Sequence, residues 1–191
     1  MTQVFLFHHA QGLTDGVRAF AGRLREAGHE VTAPDLYQGR TFATVAEGVS
    51  HAEEIGFDRL IAAGVAEAAG LTGETVYIGM SLGVMPAQKL AQTRPGALGL
   101  LALHSAVPIK EFGEKWPAGV DVQIHLNEGD EFDDRDVARE FVGQVGQGAT
   151  AELFIYPGAT HLFSDSSLSD YEQASAELLL ERTLQFLGRR G

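Results

Sequence analysis

Cysteine is absent from this chain of 191 residues, and basic residues are scarce. Without cysteine the protein can form no disulfide, hold no metal through a thiolate and use no cysteine nucleophile. The 14 lysine and arginine residues are outnumbered by 26 acidic ones, which gives a formal net charge of -12. Since no basic patch is evident, neither nucleic acid nor an anionic membrane is expected as a partner.

Long apolar runs are also missing. No stretch approaches the roughly 20 consecutive apolar residues that a transmembrane helix needs. Residues 1–7 lack the basic segment and the longer apolar run of a secretory signal peptide. We therefore expect a complete cytoplasmic protein, and its length and apolar content fit one domain over residues 1–191 without repeats or linkers.

Strand-like and helix-like segments alternate along the chain. Apolar runs typical of buried strands occupy residues 4–7, 29–33, 75–78, 98–103, 120–126 and 151–156. Helix-like segments lie between and after them, and residues 44–69 form either one long helix or two helices broken near Gly56. This alternation predicts an α/β fold, a three-layer α/β/α sandwich with a mainly parallel six-stranded sheet. Functional residues are then expected in the loops at the carboxyl ends of the strands.

The most informative motif is Gly-Met-Ser-Leu-Gly at residues 79–83, between the third predicted strand and a helix. A strand, a sharp turn and a helix are the context of a nucleophile elbow, in which glycines keep side chains away from a strained serine. Such a turn exposes the Ser81 hydroxyl and directs the Leu82 amide toward a developing oxyanion. The alternative is an ordinary glycine-rich turn with a serine helix cap.

A serine hydroxyl needs a base to take its proton, and histidine is suited to this task. His161 follows the last strand, in agreement with the chain order serine, acid, histidine of α/β-hydrolases. Three other histidines lie in loops at the same edge but earlier in the chain: His8, His9 and His104. The remaining three lie at the start of a strand, in a helix and inside a strand, out of reach of Ser81: His29, His51 and His125.

The acid of the triad is expected after the fifth strand, where carboxylates cluster. Asp130 is the best placed, because it follows a glycine just past the strand. It would accept a hydrogen bond from His161 and fix the tautomer of the ring. Asp133 stays open as the alternative acid, and either Asp133 or Asp134 is expected to cap the next helix.

Four segments in order resemble the dienelactone hydrolase family of α/β-hydrolases, over essentially the whole chain. They are residues 33–37 (Ala-Pro-Asp-Leu-Tyr), 79–83, 129–132 (Gly-Asp-Glu-Phe) and 156–163 (Tyr-Pro-Gly-Ala-Thr-His-Leu-Phe). The resemblance implies a minimal α/β-hydrolase fold with no cap domain. It also implies a triad of Ser81, Asp130 and His161, with an oxyanion hole made by the backbone amides of Leu82 and Ala10.

The chain departs from the family's type enzymes at three positions. Those enzymes use a cysteine nucleophile held in check by a glutamate, whereas this chain has Ser81 and, in place of the glutamate, His9. They hold the carboxylate of the substrate with arginines, one of which is replaced here by Asp165. Since Asp165 would repel a dianionic dienelactone, we expect a small neutral ester, lactone or thioester as the substrate.

The implied reaction is two-step acyl transfer through an acyl-enzyme, without a metal or cofactor. A metal cluster of His8, His9 and His104 is an alternative, although no carboxylate lies at ligand spacing near them. Five residues are candidates for lining the substrate pocket: His9, Tyr37, Met80, His104 and Phe163.

Other functions stay open at this point. The chain could be a non-catalytic binding module with the α/β-hydrolase fold, or an acyltransferase or haloperoxidase that uses the same triad. A flavodoxin-like or nucleotide-binding domain is a further alternative, but residues 8–12 lack the glycine-rich pattern that binds phosphate. Both a monomer and a homodimer are compatible with the sequence.

Overall fold

The computed structural model describes residues 1–132 and 134–189. Its strands, β1 to β6 in chain order, are Gln3–Phe7, Glu30–Thr32, Thr75–Met80, Ala97–Leu103, Asp121–Asn127 and Ala151–Tyr156. Its α-helices, α1 to α6, are Asp15–Glu26, Val45–Ile55, Phe57–Glu67, Val84–Thr93, Arg135–Gln144 and Gln173–Gly188. Within the described residues, no helix is both long enough and apolar enough to span a bilayer.

The strands form one parallel sheet in the order β2-β1-β3-β4-β5-β6. The chain runs outward from β1 to β2, returns to the other side of β1 as β3, and then continues outward to β6. The order therefore reverses between β1 and β3, and the loops that follow these two strands leave in opposite directions. Such a switch point opens a crevice in which α/β proteins bind their ligands.

Helices cover both faces of the sheet, as the predicted three-layer sandwich requires. Successive side chains of a strand point to opposite faces. In β1, Val4 and Leu6 pack in a cluster with residues of α1 and α6. Phe5 and Phe7 pack in a second cluster with residues of α4 and α5. Because both faces are buried, the central strands are nearly continuous apolar runs.

Local signals explain where the helices begin and end. Thr14 caps α1, and its side chain accepts a hydrogen bond of 3.2 Å from the Val17 amide. Residues 44–69 form two helices rather than one, because Gly56 adopts a φ of 93° that interrupts the helical path. The helix after the elbow begins at Val84 because Ser81–Gly83 form a 3-10 turn.

Candidate active site

Ser81 follows β3 directly and has a φ of 49°, in the left-handed region that non-glycine residues rarely adopt. The glycines on either side of this turn, Gly79 and Gly83, are required because no side chain would fit at their positions. A Cβ atom at Gly79 would overlap the backbone of Gly83, and one at Gly83 would overlap the carbonyl groups of Phe7 and His8. The turn thus has the strained backbone and the crowding predicted for a nucleophile elbow.

His161 and Asp130 stand in line with the Ser81 hydroxyl. The Ser81 Oγ lies 2.7 Å from His161 Nε2, and His161 Nδ1 donates a 2.6 Å hydrogen bond to Asp130 Oδ2. The other Asp130 oxygen accepts a bond of 3.0 Å from the Phe132 amide. Because Nδ1 carries the proton that is donated to the carboxylate, the Nε2 lone pair faces the serine hydroxyl. The structure therefore brings together the three side chains that the sequence singled out.

The loops that carry Asp130 and His161 are fastened to each other. They follow the adjacent strands β5 and β6. The side-chain amide of Asn127 donates a 2.8 Å hydrogen bond to the Thr160 carbonyl. Next to it, the Gly129 amide donates to the Gly158 carbonyl at 2.9 Å. These bonds fix the spacing between the carboxylate and the imidazole, so that their geometry depends little on loop motion.

A cavity of about 230 Å³ opens beside Ser81. Helices α2, α3 and α4 and the loops after β3 and β5 supply its apolar wall: Val45, Val49, Phe57, Leu82, Met85 and Phe132. Its polar side chains are Ser81, Ser105, Asp134 and His161. The cavity is mainly apolar, and the Ser81 hydroxyl and the His161 ring both belong to its wall.

Ala10 and Leu82, the residues expected to supply the oxyanion-binding amides, line this same cavity. Ala10 belongs to the loop after β1 and Leu82 to the turn after β3, so the two lie at the switch point of the sheet. The Ala10 carbonyl is packed so closely against α2 that a Cβ atom at Gly48 would overlap it. Gly48 therefore allows α2 to hold the β1 loop in place.

The structure corrects the prediction of the pocket residues, because none of the five lines this cavity. They are buried residues with at most 2% of their surface exposed: His9, Tyr37, Met80, His104 and Phe163. Met80 and Phe163 belong to the core beneath α1 and α6. Position at a strand end predicts the edge of the sheet, but it does not predict whether the side chain points outward or into the core.

The residues that do line the cavity were missed because they come mainly from helices. Val45 and Val49 are four positions apart on α2, and Met85 lies in the first turn of α4. An apolar pair at this spacing is also the usual signal of a helix that packs on the core. Phe57, at the start of α3, and Phe132 remain 39% and 48% exposed.

Asp165 does not line the cavity either, so the repulsion of an anionic substrate that we expected from it is not supported. Its carboxylate is buried and accepts hydrogen bonds from His9 Nε2 at 2.8 Å and from Thr14 Oγ1 at 2.5 Å. The Ser167 amide and hydroxyl donate to its other oxygen. Burial alone would raise the pKa of Asp165, but these bonds outweigh it and lower that pKa to about 2.

The other two edge histidines are also fully enclosed. His8 Nδ1 donates to the His9 carbonyl at 2.8 Å, and His8 Nε2 accepts from the Leu36 amide at 3.1 Å. Burial is the main reason that the pKa of His8 falls to about 4, and it lowers the pKa of His104 well below its usual value. The described part of the chain holds no group of three or more His, Asp or Glu residues arranged to hold a metal ion.

Asp133, the alternative acid, lies outside the described residues. Asp134 precedes α5 but its side chain does not cap the helix. Instead, Asp134 Oδ2 accepts hydrogen bonds from the Ser105 hydroxyl at 2.7 Å and the Ala106 amide at 3.1 Å. The carboxylate is therefore tied to the loop after β4 and becomes part of the cavity wall, a role that the sequence analysis did not predict.

Several solved structures share this fold. A protein named m3DLH is 20% identical, with a TM-score of 0.78 over 98% of this chain and 86% of the other. The dienelactone hydrolase from Anabaena variabilis ATCC 29413 is 18% identical, with a TM-score of 0.70 over 98% of this chain and 86% of the other. A dienelactone hydrolase-like promiscuous phosphotriesterase from metagenomic libraries is 16% identical, with a TM-score of 0.73 over 99% and 86% of the two chains.

At these identities the likeness shows a common fold, which is that of the α/β-hydrolases. No curated protein matches the chain. A model of the dienelactone hydrolase family, in contrast, matches residues 1–190. Because this match extends over nearly every residue, the protein belongs to the dienelactone hydrolase family and is a hydrolase of ester bonds.

Proposed function

We propose that the protein is a serine hydrolase that cleaves a small carboxylic ester, lactone or thioester through Ser81, His161 and Asp130. One observation supports this proposal above the others. The hydrogen-bonded chain from the Ser81 hydroxyl through His161 to Asp130, with links of 2.7 and 2.6 Å, ends at an open apolar cavity. Such a chain is the arrangement that activates a serine for attack on a carbonyl group.

In the first half of the reaction, the Ser81 oxygen attacks the carbonyl carbon of the ester while His161 Nε2 accepts the hydroxyl proton. The tetrahedral intermediate then collapses, and His161 returns the proton to the departing alcohol or thiol. Asp130 remains ionised and stabilises the imidazolium that forms in between. The product of this half is an acyl group bound to Ser81.

In the second half, water takes the place of the alcohol. His161 accepts a proton from the water as its oxygen attacks the acyl-enzyme, and returns that proton to the Ser81 oxygen as the carboxylic acid leaves. In both halves the carbonyl oxygen acquires negative charge. The amides of Ala10 and Leu82 are the proposed donors to this oxygen, and fixed donors of this kind contribute about 3 kcal/mol each to such barriers.

The cavity favours a small acyl group. Its volume of about 230 Å³ lies below the roughly 300–1,000 Å³ usual for pockets that enclose drug-sized ligands. Its wall is mainly apolar, and no lysine or arginine belongs to the described residues that line it. Nothing there would pair with the carboxylates of a dienelactone, so an uncharged acyl group fits the wall better than an anionic one.

Hydrolysis of p-nitrophenyl acetate and butyrate tests the proposal. We expect the wild type to hydrolyse both, and Ser81→Ala and His161→Ala each to lower kcat/KM by at least about a thousandfold. Ser166→Ala, which removes an exposed serine remote from this cavity, is the matched control and should behave like the wild type. A fluorophosphonate probe should label the wild type and not Ser81→Ala.

The same experiment separates the alternatives. A folded wild type that is inert and unlabelled would favour the non-catalytic binding module. An acyltransferase would pass its acyl group to an added alcohol in preference to water, so the ratio of new ester to free acid in the presence of the alcohol distinguishes transfer from hydrolysis.

A further inference from the structure

A single acidic side chain interrupts the apolar wall of the Ser81 cavity. That side chain is Asp134, and apart from His161 it is the only ionisable group among the described residues that line the cavity. Asp134 is half-buried, so its carboxylate faces the apolar wall while solvent still reaches it. The groups that surround this carboxylate therefore help to determine which charge a ligand of the cavity should carry.

The hydrogen bonds described for this carboxylate all involve one of its two oxygens. Oδ2 accepts from the Ser105 hydroxyl and the Ala106 amide, at 2.7 and 3.1 Å. Both donors are uncharged. The two bonds hold the side chain in position but do not neutralise its negative charge.

Two phenylalanines are exposed in the same wall. Phe57 and Phe132 both line the cavity, yet 39% and 48% of their surfaces are in contact with solvent. The face of an aromatic ring attracts a cation, and aromatic rings combined with a carboxylate are the usual means of binding a quaternary ammonium group. Away from His161 and the two proposed oxyanion-binding amides, the described side chains of the wall thus combine two features that favour positive charge, and no lysine or arginine is among them.

We propose that the Ser81 cavity selects esters that carry a positively charged group, such as a substituted ammonium, and that Asp134 is the residue that determines this selectivity. The inference rests on the proposed esterase function and narrows its substrate class. Neutral esters are accepted as poorer substrates, and anionic esters are disfavoured by the charge of Asp134. The net charge of -12 acts in the same direction, because it concentrates cations near the surface.

Pairs of esters that differ only in charge provide the test. Acetylcholine and 3,3-dimethylbutyl acetate have the same shape, and the first carries a trimethylammonium where the second carries a tert-butyl group. A second set of p-nitrophenyl esters places a trimethylammonium, a tert-butyl or a carboxylate group at the end of the acyl chain. The two sets together cover both orientations of the charge relative to Ser81, and kcat/KM is measured for each ester.

In at least one set, we expect the kcat/KM of the wild type to be about tenfold higher for the cationic ester than for its neutral counterpart. An attraction of this size corresponds to one negative charge about 6 Å from the cation at an effective dielectric constant between those of water and of the protein interior. Asp134→Asn should remove most of this preference and raise the relative rate of the carboxylate ester. Glu131→Gln removes an equal charge from the same loop, but at an exposed position outside the cavity. It should change the ratios less than about twofold because solvent screens its charge.

Two further variants separate charge from local structure. Ser105→Ala removes a donor to Asp134 but keeps the carboxylate, so the preference for the cation should remain. Phe57→Leu should reduce it by about threefold, as expected for the loss of one exposed cation–π contact. Melting temperatures of all variants show whether each is folded.

The outcomes distinguish this inference from the proposed function. Equal cation-to-neutral ratios in the wild type and in folded Asp134→Asn, with esters still hydrolysed, would overturn the inference and leave the esterase function standing. A wild type that hydrolyses none of these esters and does not react with fluorophosphonate would overturn both. A preference that disappears in Asp134→Asn and persists in Glu131→Gln supports the inference.

Discussion

Two buried histidine–aspartate pairs lie at the carboxyl edge of the sheet, and their geometry is similar. His161 and Asp130 are joined by a 2.6 Å hydrogen bond, and His9 and Asp165 by one of 2.8 Å. All four side chains are at most 6% exposed. In both pairs an imidazole N–H donates to a carboxylate that further donors hold in place.

The pairs differ at the second nitrogen of the ring. His161 Nε2 faces the Ser81 hydroxyl and the cavity. His9 Nδ1 accepts a 3.2 Å hydrogen bond from the Gln11 amide, so both of its nitrogens are engaged within the protein. In the proposed mechanism the first pair exchanges a proton with the substrate, whereas the second holds backbone segments together.

Burial and a carboxylate partner are common to both pairs, so they do not by themselves explain why His161 is the histidine proposed to be catalytic. What distinguishes the His161 pair is a ring nitrogen directed at a nucleophile beside an open cavity. The His9 pair instead connects the loop after β1 with residues that follow β6. We therefore expect substitutions in the His161 pair to affect mainly the rate of hydrolysis, and substitutions in the His9 pair to affect mainly the stability of the fold.

The largest contrast is expected between His161→Gln and His9→Gln. Glutamine can form hydrogen bonds but cannot accept a proton, so His161→Gln should lower kcat/KM by about ten-thousandfold, and its loss of stability should not exceed that of His9→Gln. His9→Gln should keep kcat/KM within about tenfold of the wild type, while its free energy of unfolding falls by about 2 kcal/mol because the buried Asp165 loses a donor. Ester hydrolysis and urea unfolding measure the two quantities.

A loss of rate in His9→Gln as large as that in His161→Gln would contradict the distinction between the pairs. It would mean that the β1 loop, which carries Ala10, depends on His9 for its catalytic position. Cooperative unfolding of His161→Gln serves as the control, because it shows that the variant is folded under the assay conditions and excludes a collapse of the site as the reason for the lost rate.

The next effect concerns which aspartate serves His161. Asp130→Asn replaces an acceptor of the His161 N–H with a group that can donate, so the ring can turn to the wrong tautomer, and kcat should fall by about a thousandfold. Asp133→Asn, the matched substitution at the alternative acid, should leave kcat within about twofold of the wild type. Kinetics of p-nitrophenyl butyrate hydrolysis compare the two, and the reverse order of effects would assign the acid to Asp133.

The fold and the side chains grouped around Ser81 could be predicted from the sequence, because the backbone conformations that they need require particular residues at particular positions. Gly79 and Gly83 are needed for a turn with no room for a Cβ atom, and Asp130 and His161 lie just after strands whose apolar runs are easy to recognise. Once the strands are parallel, these loops must meet at one edge. The order of the elements therefore carries most of the information.

The cavity wall and the role of Asp165 could not be predicted in the same way. Whether Val45 on α2 faces the core or the cavity depends on how the helix is rotated in the fold, and its apolar spacing is compatible with both. Asp165 is buried because His9 and Thr14, from the loop between β1 and α1, and Ser167, from its own turn, surround its carboxylate. A carboxylate in an acidic stretch resembles a solvated one until those contacts are known.

A smaller effect, on stability alone, is expected for Asp165→Asn. The carboxylate accepts four hydrogen bonds in the interior, and an amide can accept only through its oxygen. The free energy of unfolding at pH 7 should therefore fall by about 3 kcal/mol, measured by urea denaturation. Asp136→Asn, at an exposed carboxylate on α5, is the control and should leave the unfolding midpoint unchanged.

The pH dependence of this loss follows from the pKa of Asp165. That pKa is about 2 in the folded protein against 3.8 ordinarily, so the unfolded chain takes up the proton first as the pH falls. The stabilisation by ionised Asp165 is complete above about pH 4 and is lost between there and about pH 2. The difference in the free energy of unfolding between the wild type and Asp165→Asn should therefore become smaller over this pH range. A difference that stays constant would show that the ionised carboxylate is not the source of the stability.

The smallest effect concerns a histidine without a carboxylate partner. Burial, with a further contribution from the charge of Arg182, lowers the pKa of His125 from 6.5 to about 3. Between these values the unfolded chain binds a proton that the folded protein does not, so acid favours unfolding by about 1.4 kcal/mol per pH unit for this one residue. His125→Gln should reduce the slope of the free energy of unfolding against pH by that amount between pH 6 and pH 4.5, as measured by urea denaturation.

Tyr156→Phe provides the matched control for this slope. It removes the hydroxyl 2.8 Å from His125 Nδ1 but leaves the buried ring that titrates on unfolding. We therefore expect it to lower stability by a similar amount at each pH, with the slope of the wild type preserved. If His125→Gln kept the full slope, the proton would be taken up elsewhere, and His8 and His104, which burial also keeps neutral, would be the residues to replace next. The loss of stability in acid would then come from the histidines in the loops near Ser81 rather than from His125 within β5.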